Sequence, residues 1–220
     1  MAYKVDFHTH SVMSPDGSLR SQDYRAMLER GRLDCIAVTD HNVIDAALEL
    51  HKELGDRVIV GEEIMTTEGE IIGLYLTKLI PAGQPPDAVV AQIHEQGGLV
   101  YVPHPFETVR HGLSAYSLDA IAADVDIIEA YNGRAVFQNC TKEAVAWATA
   151  YTTPMAAGSD AHGRIGWGKT YTVLPDMPSR STLTTLLADA THHHKWPGII
   201  GIAYPKFNRL RKKTRREGKR

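Results

Sequence analysis

The sequence predicts an α/β fold of barrel type, closed or distorted, and three observations carry that expectation. Short apolar runs of β type alternate with stretches of helical periodicity along most of the chain. Histidines and carboxylates recur at the C-terminal ends of those runs, where the loops of barrel enzymes converge on one rigid site. No internal repeat or linker divides the 220 residues, a length that supplies one sizeable core.

In chain order, a strand over 3–7 precedes a helix over 21–31, which Ser21 can cap and Gly31 can end. A strand over 35–39, a helix over 44–54 and a strand over 57–60 follow. The next strand, 70–76, comes after a connection at 65–69 too short for a crossover helix, so these two strands pair antiparallel or irregularly and a regular eightfold barrel is not expected. Pro85-Pro86 opens a helix over 86–96 and Gly97-Gly98 closes it. Strands over 99–102 and 125–130, a helix over 141–151, strands over 154–157 and 169–174 and a helix over 179–190 complete the domain, 1–194. Residues 195–220 read as an appended basic extension, loosely ordered toward its end.

The chain is 43% hydrophobic and 23% charged, ordinary for a globular protein. Its net charge of −2 hides an asymmetry, because residues 206–220 carry nine Lys or Arg and one Glu. That tail suits a weak contact with nucleic acid or an anionic surface more than a folded recognition module. No apolar run approaches the ~20 residues that span a bilayer and none follows Met1 as a signal would, so a cytoplasmic location is expected. Cys35 and Cys140 have no paired spacing and read as free thiols, which gives redox chemistry little support.

The chemistry lies at the strand ends. His8-Thr9-His10 is echoed by Asp160-Ala161-His162, and on a strand each i, i+2 pair aims two ligating groups to one side. Asp40-His41, Glu62-Glu63 and His104 end three runs between them, and five such ends point to a metal-dependent hydrolytic site. Glu62 and Glu63 cannot both face inward, so one is solvated or lies behind the ligands. Asp6, in register with His8 and His10, is a candidate to orient an imidazole. His51 and His94 are expected to face solvent, His111 is a candidate substrate contact, and His192 to His194 are expected to cap the preceding helix.

The series DFHTH (6–10), SPDGS (14–18), TDHN (39–42), GEE (61–63), PHP (103–105), IEAYN (128–132) and GSDAH (158–162) resembles the PHP family, named for polymerase and histidinol phosphatase, over about residues 3–175. The resemblance implies a distorted (β/α)7 TIM-like barrel that holds two or three divalent ions and hydrolyses phosphoesters. It implies one metal on His8, His10, Glu63 and Asp160, with Glu63 bridging to a second held by His104, and a third on Asp16, His41 and His162. It selects Glu63 over Glu62. Glu70 stands where many members have a histidine, and Asp16 where some do; both are hard oxygen donors and favour Mn, Fe or Mg more than an all-imidazole site would, with Zn also compatible. Arg134 and Arg110 suit a bidentate grip on phosphoryl oxygens, and the resemblance favours Arg134.

The leading expectation is therefore a metal-dependent phosphoesterase for a small phosphorylated metabolite or nucleotide, with His8, His10, Glu63, Asp160 and His162 at the reacting centre. A nuclease or oligonucleotide phosphatase is the alternative, and a catalytically silent metal-binding module comes last. Oligomeric state is left open.

Overall fold

The structure, a computed structural model, describes residues 2–217. Strands β1 (Tyr3–Asp6), β2 (Cys35–Val38) and β3 (Val58–Met65) pair in parallel. Strand β4 (Glu70–Leu74) runs antiparallel to β3 and to β5 (Leu99–Val102), after which β5, β6 (Ile127–Asn132) and β7 (Met155–Gly158) are parallel again. The ring closes beyond the ends of β7 and β1 through a parallel bridge between Thr9 and Ala161, with His10 N–H on Ala161 O and Asp160 N–H on His8 O, each at 2.9 Å. The HTH and DAH segments thus form the seam of a seven-stranded, distorted barrel, as expected. Strands β8 (Tyr171–Leu174) and β9 (Thr191–His193) add antiparallel pairs outside β1.

Alternation along the strands separates two apolar layers. Cys35, Ala37, Ile59, Ile72, Tyr101, Ile127 and Ala156 fill one cluster with Leu183 and Leu187 of helix α6 (Leu183–Leu187). Ile36, Val38, Val58 and Val60 belong to the other, with side chains from α1 (Ser21–Glu29), α2 (Asp45–Leu54) and α3 (Pro86–Glu95). Each fully buried Leu or Ile of these layers contributes about 1.5–3 kcal/mol. Short α4 (Ala115–Ala120) and longer α5 (Thr141–Tyr151) complete the crossovers.

The structure departs from expectation in several places. Ser21 is already helical, and the cap of α1 is Arg20, whose backbone N–H donates to Asp23 Oδ2 at 2.9 Å. α4 was not expected; Ser114 caps it by accepting from Ser117 N–H. The three histidines do not cap α6 but seal the sheet edge. His192 and His194 donate ring N–H groups to the carbonyls of Met155 (3.0 Å) and Asn132 (3.1 Å), and His193 stacks on Tyr171. These bonds satisfy carbonyls that an edge would leave open.

The largest departure is the extension. Residues Ile199–Glu217 form α7, a docked helix in place of the loosely ordered appendage expected from residue 195. Gly201 and Pro205 interrupt its helical pattern and the basic residues resemble a solvated tail, which is why the sequence disguises it. What docks it is polar. Asn208, buried, donates to the backbone oxygens of Asp16 (2.7 Å) and His162 (3.1 Å), and Lys212 Nζ donates to Val12 O at 2.8 Å.

Candidate metal centre

The site sits where the barrel strands end, and antiparallel β4 explains one member that parallel logic would misplace. Its first residue, Glu70, pairs with Met65 at the end of β3, so its N-terminal end lies beside its neighbours' C-terminal ends. Irregular bridges carry the sheet beyond the regular strands, among them His41 with Glu63, whose N–H bonds Asp40 O at 3.1 Å. Two site residues hold left-handed backbone, His104 (φ 29°) and Asp160 (φ 51°). Such conformations cost about 1–3 kcal/mol each and concentrate at functional sites.

All nine predicted ligands come together. Glu63 is central: its Oε1 lies 3.4 Å from His8 Nε2 and 3.2 Å from His104 Nε2, and its Oε2 lies 3.3 Å from His10 Nε2 and 3.0 Å from His41 Nδ1. Asp160 Oδ1 is 3.4 Å from His10 Nε2 and 3.3 Å from His162 Nδ1. Asp16 Oδ1 faces His41 Nε2 (3.6 Å) and His162 Nε2 (3.4 Å), while Glu70 reaches His41 Nδ1 (3.3 Å) and His104 Nε2 (3.7 Å). Four overlapping triads have donor atoms close enough to share an ion: His8/His10/Glu63, His8/His104/Asp160, His10/His41/His162 and His41/Glu63/Glu70.

The surrounding hydrogen bonds fix which nitrogens are free to ligate. His8 Nδ1 bonds Glu129 Oε1 (3.1 Å), which places its N–H there and leaves a lone pair on Nε2. Ser14 Oγ gives its proton to Asp40 (2.6 Å), so it accepts from His10 Nδ1 (3.2 Å), again freeing Nε2. His162 Nδ1 donates to Asp160 O (2.9 Å) and frees Nε2. The Nε2 atoms of His8 and His10 then stand 3.0 Å apart. Two lone pairs so placed repel unless they share a cation. Buried Asp16 Oδ1 and Glu63 Oε2 likewise accept no hydrogen bond. These donors fit divalent metal ions.

Electrostatics agree. Burial opposes a charge on His8, yet the carboxylates of Glu63, Glu129 and Asp160 hold its pKa well above the ordinary value; the same negative charge favours a metal ion. Burial, then the neighbouring His162 and His41, pushes His10 down to about 3, leaving it neutral as a ligand must be. Against burial, Arg134 and then His8 keep the Asp160 carboxyl well below its usual range.

Several expectations are revised. Asp6 touches no imidazole: its Oδ1 accepts from Ser159 N–H (2.9 Å) and its Oδ2 from Trp167 Nε1 (2.9 Å), because regular β1 ends at Asp6 before the HTH segment. The orienting carboxylate is Glu129, also held by Tyr101 OH (2.9 Å), His104 N–H (2.8 Å) and Asn132 Nδ2 (2.8 Å). Its inward parity with Ile127 on β6 was the available signal. Gly158 is required there, since a Cβ would stand 2.2 Å from Glu129 Oε1. Glu62 is not solvated; it is buried on the opposite strand face and accepts from Ile80 N–H at 2.9 Å.

Arg110 and Arg134 both enter the site and donate to Asp160 Oδ2, at 2.8 and 3.1 Å. Arg110 is also tied to Glu107 (2.9 Å from Nε) and to Asn132, whereas Arg134 Nε is buried without a hydrogen-bond partner. His111 lines the same 450 Å³ cavity. His94 is exposed and pairs with Asp126 (3.3 Å); exposed His51 bonds Val58 O (2.7 Å). The contact that sequence reasoning lacked altogether is Arg209 of α7, whose Nε and Nη2 grip Asp16 Oδ2 at 3.1 and 2.7 Å. That grip turns Oδ1 toward His41 and His162.

Comparison with known proteins decides the family. Residues 141–189 match the model of the "PHP-associated" family. The chain is 35% identical over 149 residues to the uncharacterized protein MJ1587 of Methanocaldococcus jannaschii, covering 62% of this chain and 87% of that protein. It superposes with a TM-score of 0.70 on a two-domain protein of Bacteroides vulgatus described as containing a predicted PHP-like metal-dependent phosphoesterase, at 20% identity over 88% of this chain and 65% of that one. The chain belongs to the PHP family. A third likeness, to PsfC of Pseudomonas syringae, has a TM-score of 0.67 at 15% identity over 97% of this chain and 98% of that one, and extends the shared fold across nearly the whole of this PHP protein. With its fold and its clustered ligating residues, this PHP protein is a metal-dependent hydrolase. Among the described residues no helix is long and apolar enough to cross a membrane.

Proposed function

We propose that this PHP protein is a phosphoesterase that hydrolyses a small phosphorylated metabolite or nucleotide with two or three divalent ions, of Mn, Fe or Zn, held in the cluster. The observation that carries the reading is the convergence of imidazole nitrogens on the Glu63 carboxylate, which touches four histidines at 3.0–3.4 Å. His8, His10, Glu63 and Asp160 would hold one ion, Glu63 and His104 a second, and Asp16, His41 and His162 a third beside Glu70. Ions bound there supply Lewis acidity and a hydroxide nucleophile near neutral pH.

The protein's own groups do the rest. Glu129 and the Asp40–Ser14 pair hold His8 and His10 in the tautomer that ligates. Arg134, with buried Nε free of hydrogen bonds, grips phosphoryl oxygens as charge develops on them. Arg110, already bonded to Glu107 and Asn132, fixes the Asp160 side of the pocket. The 450 Å³ volume of the cavity suits a compact substrate, which places the nuclease reading second. α7 belongs to the same unit as the barrel.

Phosphate release from a panel of phosphometabolites, nucleotides and short oligonucleotides, with Mn²⁺ supplied, tests the reading. Turnover of small monoesters supports it; turnover of oligonucleotides alone would transfer it to the nuclease, and inertness toward all would end it.

A further inference from the structure

Resting on the phosphoesterase reading, we propose that Lys206 and Arg209 of α7 form a second anion subsite, so that the preferred substrate carries a second anionic group. Both residues line the metal-centre cavity, on the wall that α7 contributes, while Arg110 and Arg134 come from the barrel loops. One helical turn apart, Lys206 and Arg209 share a face of α7. The helix is anchored at the site itself by buried Asn208 on the Asp16 and His162 backbone oxygens. Helix position and metal-ligand position are therefore fixed together.

Arg209 spends Nε and Nη2 on a single oxygen of Asp16, and its guanidinium retains further N–H groups for a ligand. Lys206 is exposed toward the cavity. Charge leads to the same conclusion. Five carboxylates line the cavity, Asp16, Glu63, Glu70, Glu107 and Asp160, against Arg110, Arg134, Lys206 and Arg209. On the α7 wall the two cations, Lys206 exposed and Arg209 with N–H groups to spare, are where a second anion would meet positive charge. The shared chemistry is a phosphate or a carboxylate.

Matched substrates separate the two sources: glucose 6-phosphate against glucose 1,6-bisphosphate adds a phosphate, and glycerol 3-phosphate against 3-phosphoglycerate adds a carboxylate. In the metal-loaded protein, one added anion should raise kcat/KM about tenfold in at least one pair, mainly through KM, and the pair that responds identifies the anion. Lys206→Glu should abolish that preference, and Lys206→Arg should keep most of it. Calorimetry supplies a readout apart from turnover, since methylenebisphosphonate should bind more tightly than methylphosphonate, with the difference lost in Lys206→Glu. No preference in either pair, or a preference and a binding difference untouched by Lys206→Glu, overturns the subsite while leaving the phosphoesterase reading intact. If none of the four compounds releases phosphate, the wider panel decides the phosphoesterase reading, and the calorimetric difference alone decides whether α7 binds a second anion.

Discussion

Glu62 and Glu63 are adjacent glutamates on opposite faces of β3, and replacing each with glutamine should produce unrelated effects. Glu62 is fully buried, its Oε2 accepts from Ile80 N–H, and its Oε1 has no partner. Burial pushes its pKa from 4.5 up to about 7. The folded state therefore holds this proton up to about pH 7, while the unfolded chain releases it near 4.5. Its contribution to stability is fully present below 4.5 and is lost as pH rises through 7, by about 3 kcal/mol at 1.36 kcal/mol per pH unit. Glutamine mimics the neutral acid at every pH. The gap in unfolding free energy between Glu62→Gln and wild type should then shift by about 3 kcal/mol in favour of the variant between pH 4.5 and 8, whatever constant cost the new amide imposes. Urea denaturation at several pH values reads that shift, and metal content measured on the same samples should match wild type. A gap that stays flat with pH, or a loss of metal from Glu62→Gln, would refute the strand-face assignment.

Four further outcomes follow from the site. Glu63→Gln should lower metal content and turnover together, because one oxygen of the shared carboxylate becomes an amide; elemental analysis beside phosphate release reads both. Glu129→Gln should weaken metal affinity about 10–100-fold, as expected for the partner that fixes a ligating histidine, and competition with a chelator measures it. Arg134→Lys should reduce kcat and Arg134→Ala reduce it further, with metal content and Tm nearly unchanged, since lysine keeps the charge but loses the fork; unimpaired turnover in Arg134→Ala would make its bond to Asp160 merely structural. Deleting residues 199–220 should impair hydrolysis of small substrates, because Asp16 loses the Arg209 and Asn208 contacts; unaltered turnover would return α7 to the status of an appendage.

The barrel and the clustering of the candidate ligands were legible because both leave local marks. Period-2 apolar runs mark strands, and imidazoles at i, i+2 mark the ends where ligands point. Even the irregular step was legible, since the short connection before Glu70 has no room for a crossover helix, and β3 and β4 pair antiparallel. What escaped depends on distant partners. Glu129 looks like any strand glutamate until β1 brings His8 beside it, 121 positions away in sequence. Asp6 shows the converse, a residue in nominal register whose strand ends before the pattern reaches His8. α7 combines a proline, a glycine and a basic run, local signals that all argue against a docked helix, and only the carbonyls of Asp16 and His162 reveal what Asn208 is for.

Metal content tests the central claim most directly. Untagged protein, purified without added metal and analysed by inductively coupled plasma mass spectrometry, should carry two or three equivalents of Mn, Fe or Zn. Chelation should remove the metal together with phosphoesterase activity, and Mn²⁺, Fe²⁺ or Zn²⁺ should restore both. Protein that holds no metal, binds none when it is supplied and shows no metal-dependent phosphate release would contradict the account.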